Sequence, residues 1–191
     1  MLLTFAGLGS LACGGTVEPS DKNSIDLSTE SGVMNFVYAL TQLQFNFYTL
    51  VNAGRYSGML TTEFSAFFSF ISATQTERND LSKLIVSARI SDGLEFKFGS
   101  VMSFQSRADT LGAARTIAES CANGFSGIRS RLTNAAFLSK LDSLIVSTTS
   151  RASTIRGMLG LGPLVVTSAD PSAVFEAVQG YYLSSVRLIG V

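Results

Sequence analysis

A chain of 191 residues with 46% hydrophobic side chains is long enough for one domain with a substantial core, and too short for two ordinary ones. Its 14 basic and 14 acidic residues cancel, and no run of like charges occurs. That balance excludes a nucleic-acid surface or an anionic membrane surface as the main partner, because both demand clustered Lys and Arg. With 15% charged residues, Ser, Thr and Asn supply much of the polar surface, a composition that points outside the cytosol.

Residues 1–13 read MLLTFAGLGSLAC: apolar, uncharged and ending in small residues, the length of the core of a secretory signal. SLAC followed by GG resembles the cleavage site of a bacterial lipoprotein. The resemblance implies lipidation at Cys13, membrane attachment through that lipid, and a secreted or cell-envelope protein, periplasmic or anchored in the outer membrane. The other reading is an apolar arm packed on the domain. A bilayer-spanning helix needs about 20 apolar residues, so this segment does not span as one. Residues 14–30, rich in Ser, Asp, Asn and Thr, are expected to be a flexible tether, and residues 31–191 the folded domain.

From 32 to 53, Val33, Val37, Leu40, Gln44, Phe47 and Val51 recur at helical spacing, and Tyr38, Phe45 and Tyr48 widen the apolar surface almost all the way round. This predicts a central, heavily buried helix stopped at Asn52-Ala53-Gly54. A second helix is expected over 61–88, with Phe64, Phe67, Phe68 and Phe70 read as core; no basic residues accompany them, so they are no stacking platform for bases. Its apolar face continues through Leu81 and Leu84 and is interrupted by Glu77, with Asp80 beside it. In 89–104, Leu94, Phe96 and Phe98 alternate with Glu95 and Lys97, an extended or hairpin-like connection.

The third helix is expected over 107–132. Cys121 shares its apolar stripe with Leu111, Ala114, Ala118, Phe125 and Ile128, which marks a buried, inert thiol. The fourth, over 134–159, has apolar residues at Phe137, Leu141, Leu144, Ile155 and Leu159, with Thr148 and Arg151 on the same stripe. Gly160, Gly162 and Pro163 end it, and a short helix capped by Asp170 with Pro171 at its first position runs to about 182. The predicted fold is all-α: four long helices, one long crossover between the second and third, and a short trailing helix, the pattern of a ferritin-type bundle.

Two helices thus point polar pairs inward, the geometry with which a four-helix bundle builds a metal or cofactor site. The chemistry for it is thin, because the chain has no histidine. Without histidine a protease-type triad cannot be assembled in its usual form either. The Gly-rich patches GMLGLGP and CGG do not sit between a strand and a helix, which argues against a phosphate or dinucleotide loop.

The stretch NFVYALTQLQFNFYTLVNAG resembles the first helix of the ferritin-like domain family of desiccation-related and secreted stress proteins, whose motif is an Asn, an apolar stretch, two glutamates three apart, then Phe-Tyr. Asn35, Phe47 and Tyr48 match it, while Thr41 and Gln44 occupy the carboxylate positions. Glu77 and Asp80 correspond to the family's Glu-x-x-His in the second helix, with the histidine replaced. In the third helix the family's glutamate falls at Ala118 or Glu119. In LDSLIVSTTSRASTIRGMLG, similar to the last bundle helix, Thr148 and Arg151 replace another Glu-x-x-His. GPLVVTSADPSAVFEAVQGYY is similar to the family's closing turn and short helix. The likeness covers roughly residues 31–182.

A di-iron centre needs about four carboxylates and two histidines. The resemblance therefore implies a degenerate site at Thr41, Gln44, Glu77, Asp80, Glu119, Thr148 and Arg151, with no catalytic residues and no cofactor. In that reading the Arg151 guanidinium takes the place of the metal and bridges Glu77 or Asp80. The simpler reading leaves Glu77, Asp80 and Arg151 solvated at helix edges, and Thr41, Gln44 and Thr148 bonded to their preceding turns. The expected function is a non-enzymatic structural, stress-related or binding module. The alternative keeps iron or manganese on Glu77, Asp80, Glu119 and Gln44 for oxidase, peroxide-consuming or storage activity. A third reading is a homo-oligomer, packed through the Phe-rich turn of the second helix or through Tyr181-Tyr182.

Overall fold

A computed structural model describes residues 23–54, 56, 58–85, 89–100 and 106–190. The expectations for Cys13 and the rest of residues 1–22 fall outside the described residues. The described chain is mostly helical: β1 (Ser24–Asp26), α1 (Glu30–Gly54), α2 (Thr61–Leu84), α3 (Arg107–Ile128), α4 (Ala135–Met158), α5 (Pro171–Val178) and β2 (Arg187–Ile189). Short 3-10 turns follow α3 and α5 and lie in the connection between α2 and α3. No described helix is long and apolar enough to cross a membrane.

Local bonds set three of the helix starts and the end of α4. The Asn134 side chain accepts the N–H groups of Ala136 and Phe137, Ser106 accepts that of Asp109, and Asp170 accepts that of Ser172 ahead of Pro171. These bonds satisfy donors that a helix start leaves open. At the end of α4, Gly160 turns to φ +73°, Leu161 N–H bonds Arg156 C=O at 2.8 Å and Gly160 N–H bonds Gly157 C=O at 3.0 Å, a Schellman stop.

Side-chain pairs fix the directions. Asp80 and Glu77 of α2 meet Lys140 and then Ser147 and Arg151 of α4 in reverse order, so these helices are antiparallel. Arg107, opening α3, reaches Glu63 in the first turn of α2 and the carbonyl of Met158 closing α4. Glu30, opening α1, accepts the backbone N–H groups of Thr133 and Asn134 just before α4. Hence α1 and α4 run one way, α2 and α3 the other, and the end of α2 and the start of α3 lie at opposite ends of a bundle-like core. Helix α1 packs on α2 and α3, α4 on α3 and α2, and α5 on α3.

The burial of α1 has a specific cause. Along one face, Asn35, Tyr38 and Gln42 reach the connection: Asn35 Oδ1 accepts Ile90 N–H, Tyr38 donates to Asp92, and Gln42 accepts Leu94 N–H and donates to Ser91 C=O. The connection therefore covers the side of α1 that the other helices leave open. Its apolar residues pair with the C-terminal segment rather than folding back as a hairpin. Lys97 N–H bonds Tyr181 C=O, Leu183 N–H bonds Glu95 C=O, and Phe96 bridges Tyr182.

Three expectations change. Residues 24–27 belong to the fold and not to a tether, because Ile25 and Leu27 are buried and β1 pairs in parallel with β2. Gly32 allows this junction: a Cβ there would stand 1.7 Å from Asp26 C=O. Of the α2 aromatics, Phe67 and Phe70 are core, Phe64 is half-buried and Phe68 is exposed, since one helix cannot aim four such closely spaced residues at one side. Tyr181 and Tyr182 are buried within their own chain, Tyr182 donating to Ala39 C=O, rather than standing out at the surface.

Candidate functional site

The apolar stripes of the long helices bring one polar group to the middle of the core. Helix α4 keeps its phase through Leu141, Leu144, Thr148, Arg151 and Ile155, all buried. Helix α2 does the same through Phe67, Phe70, Thr74, Glu77 and Leu81. Arg151 and Glu77 therefore face each other across the antiparallel pair. The guanidinium donates from both terminal nitrogens to the two carboxylate oxygens, each at 2.9 Å, and one nitrogen also donates to Thr148 Oγ1 at 2.9 Å. Ser147 donates to the same carboxylate at 2.6 Å. The side chains of Arg151 and Glu77 are 4% and 11% exposed, so this is a desolvated, bidentate pair.

Helix α1 contributes a softer wall. Thr41 donates to Val37 C=O at 2.8 Å, its preceding turn, and Tyr48 donates to Gln44 Oε1 at 3.3 Å. All three side chains are buried, and Gln44 Nε2 and Arg151 Nε have no hydrogen-bond partner. Burial pushes the Tyr48 phenol well up, and the Arg151 charge offsets only part of that. From α3, Ala118 and Cys121 close the space, Cys121 lying against Leu40 C=O. Burial likewise pushes the Cys121 thiol up, keeping it protonated and unreactive.

The other predicted positions lie elsewhere. Asp80, three residues from Glu77, sits at the helix edge and pairs with Lys140 at 2.7 Å; that bond, followed by the Lys140 charge, holds its carboxyl below the ordinary value. Glu119 is turned away from the core and pairs with Arg156 at 2.6 Å, which leaves Ala118 at the inward position of that turn. Of the seven expected positions, the core thus gathers Thr41, Gln44, Glu77, Thr148 and Arg151, and excludes Asp80 and Glu119.

This donor set does not fit a di-metal centre. One carboxylate, already held by a guanidinium and a hydroxyl, faces a cation where two hard cations would require about four carboxylates and two histidines. Among the described residues no three Cys, Asp or Glu side chains lie close enough together to hold an ion.

A second buried carboxylate escaped the sequence reading. Glu63, 2% exposed, accepts from Tyr56 at 2.7 Å, from Leu60 N–H at 3.0 Å and from two nitrogens of Arg107 at 2.8 and 2.5 Å. Arg107 also donates to Met158 C=O, so this group ties together the starts of α2 and α3 and the end of α4. Burial alone would raise the Glu63 carboxyl; the bonds from Arg107, Leu60 and Tyr56 outweigh it and leave it below the ordinary value. A signal existed: a cation in the first turn of α3 opposes the helix dipole and calls for a carboxylate partner.

No known family model matches the sequence, and no curated protein matches it.

Proposed function

We propose that this chain is a ferritin-like four-helix bundle whose metal cage has been replaced by an internal ion pair, and that it serves as a non-enzymatic structural or binding module. The observation that carries this is the bidentate Arg151–Glu77 pair in the core, bonded by Thr148 and Ser147. It lies where the resemblance puts Glu-x-x-His turns on two facing helices. The helix directions, with one long connection between α2 and α3, support the same reading. Export and attachment through lipidated Cys13, and a role in stress, rest on the sequence alone and are part of the proposal.

Elemental analysis of protein expressed with excess iron and manganese is the direct test. The expected content is far below one metal per chain. Stoichiometric iron or manganese, retained through gel filtration and lost in Glu77→Gln, overturns the proposal and restores a metal-dependent activity. For the N-terminus, mass spectrometry of protein recovered from the membrane fraction should find acyl chains on Cys13, and none after Cys13→Ser.

A further inference from the structure

A groove of about 560 Å³ runs between the second half of α1, the extended part of the connection and Leu183. This volume falls in the range of small-molecule sites. Its wall is aromatic and aliphatic: Phe96 stacks on Phe98 with ring centroids 5.6 Å apart and planes 7° from parallel, while Leu50 and Leu183 stand 39% and 59% exposed beside them.

Much of the hydrogen-bonding capacity along this wall is already committed. Asn46 donates to Gln42 C=O and Thr49 to Phe45 C=O. Glu95 N–H bonds Ser184 Oγ, and its carbonyl takes Leu183 N–H and Ser184 N–H. An occupant therefore gains by burying hydrocarbon and finds few hydrogen bonds to exchange for those it leaves in water. Glu95 also supplies the one ionised side chain among the groove residues, exposed and with no charged partner among the described residues. A carboxylate beside an apolar trough disfavours an anionic head and favours a cationic one.

We propose that this groove is a binding site for small cationic amphiphiles, an alkyl or aryl body carrying an ammonium head. The body lies along Leu50, Phe96, Phe98 and Leu183, and the ammonium sits at Glu95. This stands apart from the ion pair in the core and holds whether or not the bundle once carried metal.

The test is an NMR titration with octyltrimethylammonium, octyl sulfate and octyl glucoside, each kept below its micelle concentration. The tail is common, so the head decides. Saturable shifts confined to the groove are expected, with the cation binding roughly five- to tenfold tighter than the sulfate. Glu95→Gln should equalise the three, and Leu183→Ser should weaken all of them without moving the melting temperature. Equal affinities in the unaltered protein, a cation preference that survives Glu95→Gln, or shifts spread across the whole chain without saturation would each overturn the proposal.

Discussion

Removing Arg151 probes the core most directly. Arg151→Ala leaves the Glu77 carboxylate with the Ser147 hydroxyl and takes away two charge-assisted bonds, while Thr148 loses its donor and the space of a guanidinium opens beside Tyr48. Breaking one side of a buried pair costs about 3 to 5 kcal/mol, because the remaining charge stays desolvated. For a chain of this size each kcal/mol lowers the melting temperature by about 2 to 4 °C, so a fall of roughly 6 to 20 °C is predicted. The pair Arg129–Asp142 is the internal control: its side chains are 54% and 47% exposed, and Arg129→Ala should cost no more than about 1 kcal/mol. Urea unfolding of both variants, with equal m-values required, separates the cases. If Arg151→Ala unfolds within about 0.5 kcal/mol of the unaltered protein, Arg151 is a solvated side chain and the reasoning fails.

Three further predictions follow from other contacts. Glu63 titrates lower folded than unfolded, so it adds stability that is fully present above its unfolded value of about 4.3 and lost as the pH falls through the folded value. Glu63→Gln should cost about 1 to 3 kcal/mol at neutral pH and flatten the acid limb of the stability curve; an unchanged limb contradicts the assignment. Burial first, then the bond to Asp92, pushes the Tyr38 phenol up to about 12. Absorbance titration against Tyr38→Phe should show that midpoint, and Asp92→Asn should lower it without restoring the ordinary value. A Cβ at Gly127 would stand 1.9 Å from Ala169 C=O, so Gly127→Ala should push residues 167–169 off α3 at a cost of about 1 to 3 kcal/mol. Faster exchange of Ala169 N–H, which bonds Asn123 C=O, would register it.

The core pair was legible because helical period carries through polar residues: Thr148 and Arg151 hold the phase of Leu144 and Ile155 whatever their chemistry. Asp80 was misplaced for the same reason that Glu77 was not. The stripe alternates steps of three and four through Thr74, Glu77 and Leu81, so a second step of three puts Asp80 about 120° round from Thr74, off the stripe and within reach of Lys140. At Ala118 and Glu119 a one-residue choice rotates the side chain by about 100°, and only packing decides it. Ile25 and Leu27 were hidden in a polar stretch, because the strand that pairs with β1 lies at the far end of the chain. The polar face of α1 held an unused signal: Asn35, Tyr38 and Gln42 share one side of a largely apolar helix, and such a row requires backbone to bond.

The ion pair invites a question about why a core keeps two charges that hydrophobic residues could replace. Helices α2 and α4 pack on each other less extensively than α1 and α2 do. A slide of one turn would therefore cost less packing here than between α1 and α2, whose facing aromatics Tyr48, Phe67 and Phe70 interlock. A bidentate bond tolerates no such slide. We predict that Arg151→Met with Glu77→Leu restores the melting temperature or raises it, by about 1 to 4 kcal/mol relative to the original pair. The same double variant should broaden the methyl resonances of Leu81 and Leu144 as α2 and α4 sample more than one register. Sharp lines at restored stability would mean that apolar packing alone aligns these helices, and the role of the pair as a register device would have to be abandoned.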